Sequence, residues 1–380
     1  MESHMNPHRE GDIVIPTLMK AWRLQRPGGA LTLKDVPVPE LRPGSVLVRI
    51  DVSTLMSYLK AYVDGKLPFY NPPKDEFTIG TNGVGTVEAI GRDVWHVKPG
   101  DRVLLSSHFV ARDNVDDPAQ ILIGLTAGAG GDAVLKDWPD GTLAEYALVP
   151  IEAVTPAAGL EHLDAPQLAA VSRCIIPFGG LLRGRLAAGE TLVVTGATGA
   201  YGAAAVLLGA AMGAARIVAA GRNQAALDAI VKAGGSRVVP VVLTGDFEAD
   251  VAALRNASGG GAHMAFDMVG NAADPNATLA ALHSLKRGGR LVLMGSMTTP
   301  LPVPYTMMML NSWEILGQFM YPASAYRRLL ELVRSGLLNL SPFQPQLYPL
   351  ADLPQAMEAA ANSGNLEYVV MQPGKARDAR

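Results

Sequence analysis

The chain has 380 residues, of which 49% are hydrophobic and 18% are charged, and its formal net charge is −3. This composition excludes an intrinsically disordered protein, and the length allows about two domains that each bury a core. The lysine and arginine residues form no run or stripe, so we expect neither a nucleic acid nor a membrane as a partner.

The sequence contains a single cysteine, Cys174. It therefore excludes an internal disulfide and any zinc site built from several cysteines. Residues 1–18 lack the charged and apolar regions of a signal peptide, and we expect them to form a disordered N-terminal extension. Because a lone thiol is also typical of a reducing compartment, these features predict a cytoplasmic protein.

Short strand-like segments separated by proline and glycine occupy residues 19–160, for example at 45–52 and 83–90. This spacing predicts a partly open β-barrel. The stretch at 106–142 is glycine-rich and weakly patterned, and we expect it to leave the barrel as an excursion.

Strand-like and helix-like segments alternate in residues 161–324. The predicted strands lie at 192–195, 217–220, 238–243, 264–269 and 291–294, and the predicted helices at 203–212, 224–232, 246–255 and 276–285. This alternation predicts a doubly wound parallel sheet with helices on both faces, inserted into the barrel domain of an α/β protein. Residues 325–380 are expected to return to the first domain through a helix at 325–334 and a strand at 366–371.

Residues 191–215 carry no charge and are long enough to span a bilayer. Five glycines interrupt this stretch, which divides into a strand-like half and a helix-like half. A buried strand, turn and helix therefore explain it better than a membrane span.

A glycine-rich turn joins these two halves at residues 196–202. A dinucleotide pyrophosphate requires a tight turn, close backbone approach and the free amides of a helix N-terminus. Gly199 and Gly202 fit the second and third glycines of the known fingerprint, and Ala197 occupies the first position. We therefore predict cofactor contacts from the following turn residues: Gly196, Ala197, Thr198, Gly199, Ala200, Tyr201 and Gly202.

The residues after the next predicted strand are Gly221, Arg222 and Asn223, which we also assign to the cofactor site. Sites that use NAD place an acidic residue here to accept from the ribose 2′-hydroxyl. No carboxylate is present, whereas the Arg222 guanidinium can bind a 2′-phosphate as a fork. The alternative is a solvent-facing arginine at a helix start, where a cation gains nothing from the helix dipole. The pattern favours NADP(H) over NAD(H).

Several segments together resemble the medium-chain dehydrogenases/reductases, over residues 19–373. They read LRPGSVLVR at 41–49, GTNGVGTV at 80–87, VKPGDRV at 97–103 and GTLAEY at 141–146, followed by the glycine turn. The resemblance implies a GroES-like barrel domain interrupted by a Rossmann domain, with the active site in the cleft between them. It also implies a small-molecule substrate and a homodimer.

The chain departs from the zinc-dependent members of that family at their metal ligands. Met56 stands near the position of their cysteine, while Thr81 and Asn82 replace their histidine and an acidic residue. Cys174 lies near their third ligand but would be alone there. Residues 106–142 correspond to their four-cysteine lobe and contain no cysteine. Because one thiolate without partners does not make a tetrahedral site, we expect no metal.

Without a metal, a hydroxyl or amide must stabilise the charge that hydride transfer creates on the substrate. The resemblance places Tyr58 near the proton-relay hydroxyl of zinc relatives, in a Tyr-hydrophobe-basic segment like that of zinc-free alkenal and quinone reductases. We assign Tyr58 and Asn82 as catalytic candidates, with Thr81 and Asn311 as secondary pocket residues. The alternative for Tyr58 is a tyrosine of the core or of a lid.

The predicted strands near 291–294 and before Gly317 end at residues that should border the nicotinamide, because ligands lie beyond the carboxyl ends of parallel strands. We assign Gly295, Ser296 and Phe319 to the cofactor site on this basis. Asp267 also ends a strand, and we interpret it as the cap of a turn. Two further sets have no assigned chemistry. Met307, Met308 and Met309 suggest an interface or a pocket wall, and His96, His108, His162, His263 and His283 show no ligand spacing.

These features predict a zinc-independent, NADPH-dependent oxidoreductase acting on an enone, a quinone or a similar carbonyl compound. Two alternatives remain open. One is a metal-free alcohol dehydrogenase or ketone reductase, and the other is a protein that binds NADPH without turnover.

Overall fold

The computed structural model describes residues 15–374, which form two large β-sheets and the helices packed on them. The strands are β1 Leu18–Leu24, β2 Leu31–Pro37, β3 Ser45–Thr54, β4 Phe77–Thr78, β5 Gly83–Ile90, β6 Arg102–Leu105, β7 His108–Val110, β8 Gln120–Leu122, β9 Thr126–Ala127, β10 Tyr146–Pro150, β11 Val154–Pro156, β12 Thr191–Thr195, β13 Arg216–Gly221, β14 Val238–Val242, β15 Ala262–Asp267, β16 Leu285–Leu293, β17 Glu314–Gly317, β18 Gln344–Pro349 and β19 Glu367–Gln372. The helices are α1 Leu59–Val63, α2 Asp132–Asp137, α3 Ala165–Leu168, α4 Val171–Arg183, α5 Ala200–Ala211, α6 Gln224–Gly234, α7 Phe247–Ala257, α8 Asn276–His283, α9 Tyr305–Asn311, α10 Ala325–Arg334 and α11 Leu353–Asn362.

The first large sheet has the order β11-β6-β5-β3-β19-β18, and β10 also pairs with β3. The long strands β3 and β5 run antiparallel, and their register shifts twice. Such irregularities increase the local twist and bend a sheet towards closure. Alternate residues of β3, Val46, Val48 and Ile50, point into one hydrophobic core. The predicted barrel-like first domain is confirmed.

The excursion predicted at residues 106–142 is also present. Strands β7, β8 and β9 form a separate small antiparallel sheet, and helix α2 contacts it. Its few short strands explain why the sequence pattern there is weak.

The second large sheet is parallel throughout and has the order β14-β13-β12-β15-β16-β17. Successive residues of β12 face opposite layers: Val194 packs with α4, α5 and α6, whereas Val193 packs with α7 and α8. The strand order reverses between β12 and β15, which creates a crevice at their carboxyl ends. The predicted doubly wound sheet is confirmed.

The chain returns to the first sheet after β17. Helix α10 packs against α4 and coincides with the helix predicted at 325–334. Strand β19 pairs in parallel with β18 and antiparallel with β3, through Val370 opposite Thr54 and Met371 opposite Ser53. The return therefore brings β18 and β19 against β3 of the first domain.

The predicted extension at residues 1–18 is wrong at its last residue. Leu18 is the first residue of β1, which pairs along its whole length with β2, and the side chain of Met19 is buried. Residues 1–14 of the extension lie outside the described residues.

The uncharged stretch at 191–215 contains the buried strand β12 and the helix α5. Another stretch, residues 165–183, is long and apolar enough by length and composition to cross a membrane. It contains α3 and α4, and 72% of its apolar window is buried inside the protein, as in a core helix.

Candidate active site

The turn between β12 and α5 reverses the chain at Gly196, whose φ is +69°. A side chain at this position would be strained, and its Cβ would lie 2.8 Å from the carbonyl oxygen of Met268. Gly196 therefore has the tight-turn role that the sequence assigned to Ala197. Ala197 is instead fully buried, and its amide donates to the carbonyl of Ala220 over 3.1 Å.

Gly202 lets the first turn of α5 approach the loop. A Cβ on Gly202 would lie 2.0 Å from the carbonyl oxygen of Gly196 and 2.9 Å from Cα of Ala197. At the end of β13, a Cβ on Gly221 would lie 2.6 Å from the Thr198 side chain. The glycines thus allow two strand ends and a helix start to meet at one point.

The amides at the start of α5 are suited to bind a pyrophosphate. Gly199 precedes the helix without a side-chain cap, and the first amides of an α-helix have no partner within the helix. The amide of Asn365, which comes from the return to the first domain, donates to the carbonyl of Thr198 over 3.2 Å. The sequence analysis missed Asn365, because nothing local links it to the turn. The turn at residues 196–202 and the start of α5 have the backbone shape that a dinucleotide requires.

Arg222 and Asn223 follow β13 at the same edge of the sheet. The Arg222 side chain is exposed, and no hydrogen bond or ion pair engages it within residues 15–374. The side-chain oxygen of Asn223 accepts from the amide of Ala226 over 3.1 Å, which caps α6. Arg222 is thus available to a ligand, whereas the Asn223 side chain already serves the helix.

Asp267 ends β15 beside the turn. Its Oδ1 accepts from the hydroxyls of Thr195 at 2.7 Å and Thr278 at 3.0 Å. The carboxyl is thus a buried acceptor for two side chains, whereas the sequence predicted a turn cap. Burial raises the pKa of this carboxyl from 3.8 to about 6, against the lowering effect of the two threonine hydrogen bonds. The group joins β12, β15 and α8 under the crevice.

Gly295 and Ser296 lie next to Asp267, as expected for residues that border the crevice. The amide of Gly295 donates to the Asp267 carbonyl over 2.9 Å, and a Cβ on Gly295 would lie 2.1 Å from the Val269 carbonyl oxygen. Ser296 forms a parallel bridge with Gly270. The structure brings these residues to the carboxyl end of the sheet, beside the glycine turn.

The Asp267→Asn variant should change how stability depends on pH. The raised pKa stabilises the folded state below about pH 4, and this contribution is lost as the pH rises through 6. Asparagine keeps the acceptor for both threonines but does not titrate. The unfolding free energy of the variant, relative to the wild type, should therefore improve by about 1 kcal/mol from about pH 5 to pH 8 in denaturant titrations. Parallel pH curves for the two proteins would contradict this.

Tyr58 lies directly before α1 in an aromatic cluster of the first domain. Its ring stacks on Tyr70 with a centroid distance of 6.3 Å, and Tyr70 in turn meets Tyr62 edge-to-face at 5.4 Å. Burial raises the pKa of Tyr58 well above 10, and the nearby hydroxyls of Tyr201 and Tyr70 raise it further, while Arg173 lowers it. At neutral pH Tyr58 is therefore a protonated hydrogen-bond donor.

Asn82 is buried, and its side chain has a structural hydrogen bond. Its Oδ1 accepts from the amide of Ser107 over 2.9 Å, and its carbonyl accepts from the amide of Thr54 over 3.0 Å. These bonds tie β3 to the segment after β6. The bond to Ser107 fixes the side-chain amide and engages only its oxygen, whereas negative charge on a substrate would be stabilised by the Nδ2 donor, so the catalytic role of Asn82 stays a prediction.

The secondary candidates lie apart. Thr81 is buried beside Asn82, whereas Asn311 is at the end of α9 and donates to the Met307 carbonyl over 2.9 Å. Met307 and Met309 on that helix are exposed, and Met308 packs against the core of the second domain. The methionine cluster is thus on the surface, and its role as an interface or pocket wall stays a prediction.

The histidines are surface residues or have local partners, as expected. His96 approaches the Val154 carbonyl, His263 accepts from the Thr191 amide over 3.0 Å, and His283 packs between two aromatic rings, while His162 is exposed. His108 contacts Gln120 at 3.1 Å.

His108 also belongs to a second aromatic cluster, which the sequence analysis did not predict. Its ring meets Tyr321 and Phe319 edge-to-face at 5.2 and 6.0 Å, and the Tyr321 and Ser106 hydroxyls are 2.8 Å apart. Phe319 is 60% exposed, so its ring is available to a ligand. Tyr201 lies within electrostatic range of both Tyr321 and Tyr58. Tyr201, in the first turn of α5, is therefore near both aromatic clusters.

The residues at the positions of zinc ligands do not form a donor set. Met56 is buried in the core, and Cys174 is a buried free thiol whose pKa is raised by burial. Within residues 15–374, no group of three or more His, Cys, Asp or Glu side chains is arranged to hold a metal ion. One cysteine and a thioether do not supply the ligands of a tetrahedral zinc site.

Arg173, next to Cys174 in α4, is a further residue that the sequence analysis missed. It is 4% exposed, and its guanidinium lies 5.8 Å from the centre of the Tyr201 ring. The only signal in the sequence was one charge within a helix of otherwise uncharged residues up to Arg183.

Two family models match the chain. The alcohol dehydrogenase GroES-like domain matches residues 42–159, and the zinc-binding dehydrogenase family matches residues 200–335. An L-threonine 3-dehydrogenase of Anaeromyxobacter dehalogenans (strain 2CP-C) is 27% identical over 379 residues, covering 94% of this chain and all of the relative.

Solved structures agree in fold. The structure of AibC has a TM-score of 0.78 at 23% identity and covers 98% of this chain and all of its own. A Sinorhizobium meliloti 1021 structure bound to NADP has a TM-score of 0.75 at 19% identity, covering 94% of this chain and all of its own. With both domains matched and the relatives spanning nearly the whole chain, this protein belongs to the medium-chain dehydrogenase/reductase superfamily of oxidoreductases.

Proposed function

We propose that this protein is a zinc-independent, NADPH-dependent oxidoreductase that transfers hydride to a conjugated enone, a quinone or a similar carbonyl compound. The observation that carries the proposal is the glycine turn beside β13, where Arg222 stands in place of an acidic residue.

The preference for NADPH rests on charge at the end of β13. A carboxylate there would repel the 2′-phosphate, whereas the exposed Arg222 guanidinium is free to pair with it. Arg222 directly precedes Asn223, the cap of α6, so its backbone is fixed by the helix start. A ligand phosphate beside this helix N-terminus is also favoured by the helix dipole.

Zinc independence rests on the donor set. Cys174 could supply at most one thiolate, and Met56 and Thr81 supply no second or third ligand of the usual kind. One thiolate without partners does not make a tetrahedral zinc site. The charge that develops on the substrate must then be stabilised by side chains of this protein.

NADPH, when bound, supplies the hydride. The turn at residues 196–202 and Gly295 would hold and orient the cofactor at the carboxyl end of the sheet. The high pKa keeps the Tyr58 hydroxyl protonated, so that it donates a hydrogen bond to the substrate oxygen as negative charge builds there. The surrounding aromatic rings exclude water, which strengthens this hydrogen bond.

The Tyr58→Phe variant should lose turnover by about 100-fold, because a positioned proton donor contributes at least that much. Affinity for NADPH should remain, since the ring and its stacking on Tyr70 are retained. Steady-state kinetics and fluorescence titration with NADPH measure the two effects. Tyr146→Phe removes the hydroxyl of a buried tyrosine in a separate cluster of the first domain and should change turnover only slightly. Near-wild-type turnover of Tyr58→Phe would exclude the assignment.

The experiment that tests the function follows NADPH and NADH oxidation with a panel of enones, quinones and ketones, before and after treatment with a zinc chelator. We expect oxidation of NADPH with enones or quinones that survives chelation. Activity limited to ketones, or oxidation of alcohols in reverse, would indicate a metal-free alcohol dehydrogenase. Tight NADPH binding without turnover of any compound would indicate a non-catalytic protein. Stoichiometric zinc in the purified protein would refute zinc independence.

A further inference from the structure

Arg173 is a charged residue in a helix that is otherwise a core element. It lies in the first turn of α4, whose buried residues include Val171, Cys174 and Ile175. The arginine itself is 4% exposed. A charge at such a position is costly, because an ion loses its hydration when it is buried.

Among residues 15–374, the guanidinium of Arg173 has a cation–π contact with the Tyr201 ring at 5.8 Å but no ion pair. Its two terminal nitrogens, Nη1 and Nη2, are buried, and neither has a hydrogen-bond partner among residues 15–374. No carboxylate within residues 15–374 forms an ion pair with Arg173. By contrast, the buried Arg290 binds Glu190 and three backbone carbonyls. Burial lowers the pKa of Arg173, because the charged form loses its hydration. Natural proteins rarely leave such donors unsatisfied without a ligand or functional reason.

The surroundings of Arg173 place it between the two domains of the active site. Tyr201, whose ring lies 5.8 Å from the guanidinium carbon, belongs to the cofactor turn. Tyr58, on the first domain, is close enough for Arg173 to lower its pKa. Tyr368 on β19 is also within electrostatic range. The fork of donors therefore lies among the residues that should surround nicotinamide and substrate.

We propose that Arg173 binds the carboxylate of an anionic substrate, so that the carbonyl or enone compound reduced by this protein carries a carboxylate group. The identity of the substrate rests on the proposed function, whereas the carboxylate site itself does not. Two parallel N–H donors match the two oxygens of a carboxylate, and the negative charge neutralises a buried cation that lacks a partner.

Two other ligands fit the geometry less well. A neutral carbonyl oxygen would satisfy the donors but leave the buried charge uncompensated. The phosphates of the cofactor have other partners, since the amides of α5 suit the pyrophosphate and Arg222 suits the 2′-phosphate. Both remain as outcomes of the test below.

The test compares 4-oxopentanoate with its neutral methyl ester, which differ only in the charged group. Binding of each probe is measured by isothermal titration calorimetry, with and without NADPH, to wild type, Arg173→Gln and Arg183→Gln. Arg183 is an exposed arginine at the end of the same helix, so its variant removes the same charge without touching the site. Because binding is measured without turnover, failure of the proposed reaction does not affect the result.

We expect the wild type to bind the acid about 100-fold more tightly than the ester, as for a buried charge-assisted pair. Arg173→Gln should abolish this preference, and Arg183→Gln should retain it. Equal binding of acid and ester by the wild type would overturn the proposal. So would loss of NADPH affinity in Arg173→Gln with the acid preference intact, which would assign Arg173 to the cofactor.

A stability measurement separates this role from a structural one. Removing an uncompensated buried charge should raise the melting temperature of the ligand-free Arg173→Gln protein, by ~2 °C. A residue that stabilises the fold would lower it instead, and that result would count against the proposal. Should Arg173→Gln fail to fold, Arg173→Lys keeps the charge but loses the fork. This variant should bind the acid more weakly than the wild type and still prefer it to the ester.

Discussion

The Gly202→Ala variant should lose NADPH binding and much of its stability. The new Cβ would lie 2.0 Å from the Gly196 carbonyl oxygen and 2.6 Å from its carbon, and both atoms belong to the backbone. The turn at 196–202 must open to accept it, which moves the amides away from the pyrophosphate. We expect a loss of affinity above about 100-fold and a destabilisation of about 3 kcal/mol, by fluorescence titration and denaturant unfolding.

Gly209→Ala is the matched control, because it makes the same change in the same helix. A Cβ at Gly209 would meet only side-chain atoms, of Leu192 at 2.8 Å and of Ile217 at 3.4 Å, which can shift. Alanine also favours the helix more than glycine does. This variant should bind NADPH normally. If Gly202→Ala binds NADPH as tightly as Gly209→Ala, the turn does not hold the cofactor.

The second large effect is expected from Arg222→Ala. Loss of a charged pair with the 2′-phosphate, worth about 2–3 kcal/mol, should lower kcat/KM for NADPH about 100-fold. The kcat/KM for NADH should stay nearly constant, since NADH has no phosphate on the 2′-hydroxyl of its ribose. The ratio of kcat/KM for the two cofactors, measured with one substrate, is therefore the decisive quantity.

Lys232→Ala is the control for net charge. Lys232 is an exposed residue in the last turn of α6, the helix that begins just after Arg222. Its removal should leave the cofactor ratio within about twofold, because exposed charges more than a Debye length away are screened. An equal drop of the cofactor ratio in both variants would show that positive charge attracts NADPH in general, without a specific site at Arg222. An unchanged ratio in Arg222→Ala would mean that Arg222 does not bind the 2′-phosphate.

The fold could be predicted from the sequence because its signals are local. Helix α10 coincides with its predicted bounds, since Ala325–Arg334 alternates apolar and charged residues with helical spacing. Strand β12 was recognisable as a short apolar run before a glycine turn. The exchange of roles between Gly196 and Ala197 was not predictable, because backbone dihedrals depend on the contact with Met268, which is distant in sequence.

The candidate site was only partly predictable because it depends on contacts between distant segments. Asn82 looked like a pocket amide, yet its oxygen binds the Ser107 amide. Asn365 reaches the cofactor turn only after the chain has returned to the first domain. Arg173 resembles any helix arginine in the sequence, and its significance comes from the absence of a partner within residues 15–374. Pairwise contacts of this kind leave no periodic signal.

The position of β19 has a consequence for the order of folding during synthesis. This strand lies between β18 and β3, so it joins a segment that follows the parallel sheet to a strand that precedes it. Strands β12 to β17 are contiguous and can pair as soon as they leave the ribosome. In the first domain β3 can pair with β5 and β10, but its last residues, Ser53 and Thr54, lack a partner until β19 has been synthesised. During that interval this short edge can pair with other nascent chains, so we expect the first domain to be the more prone to aggregation during synthesis.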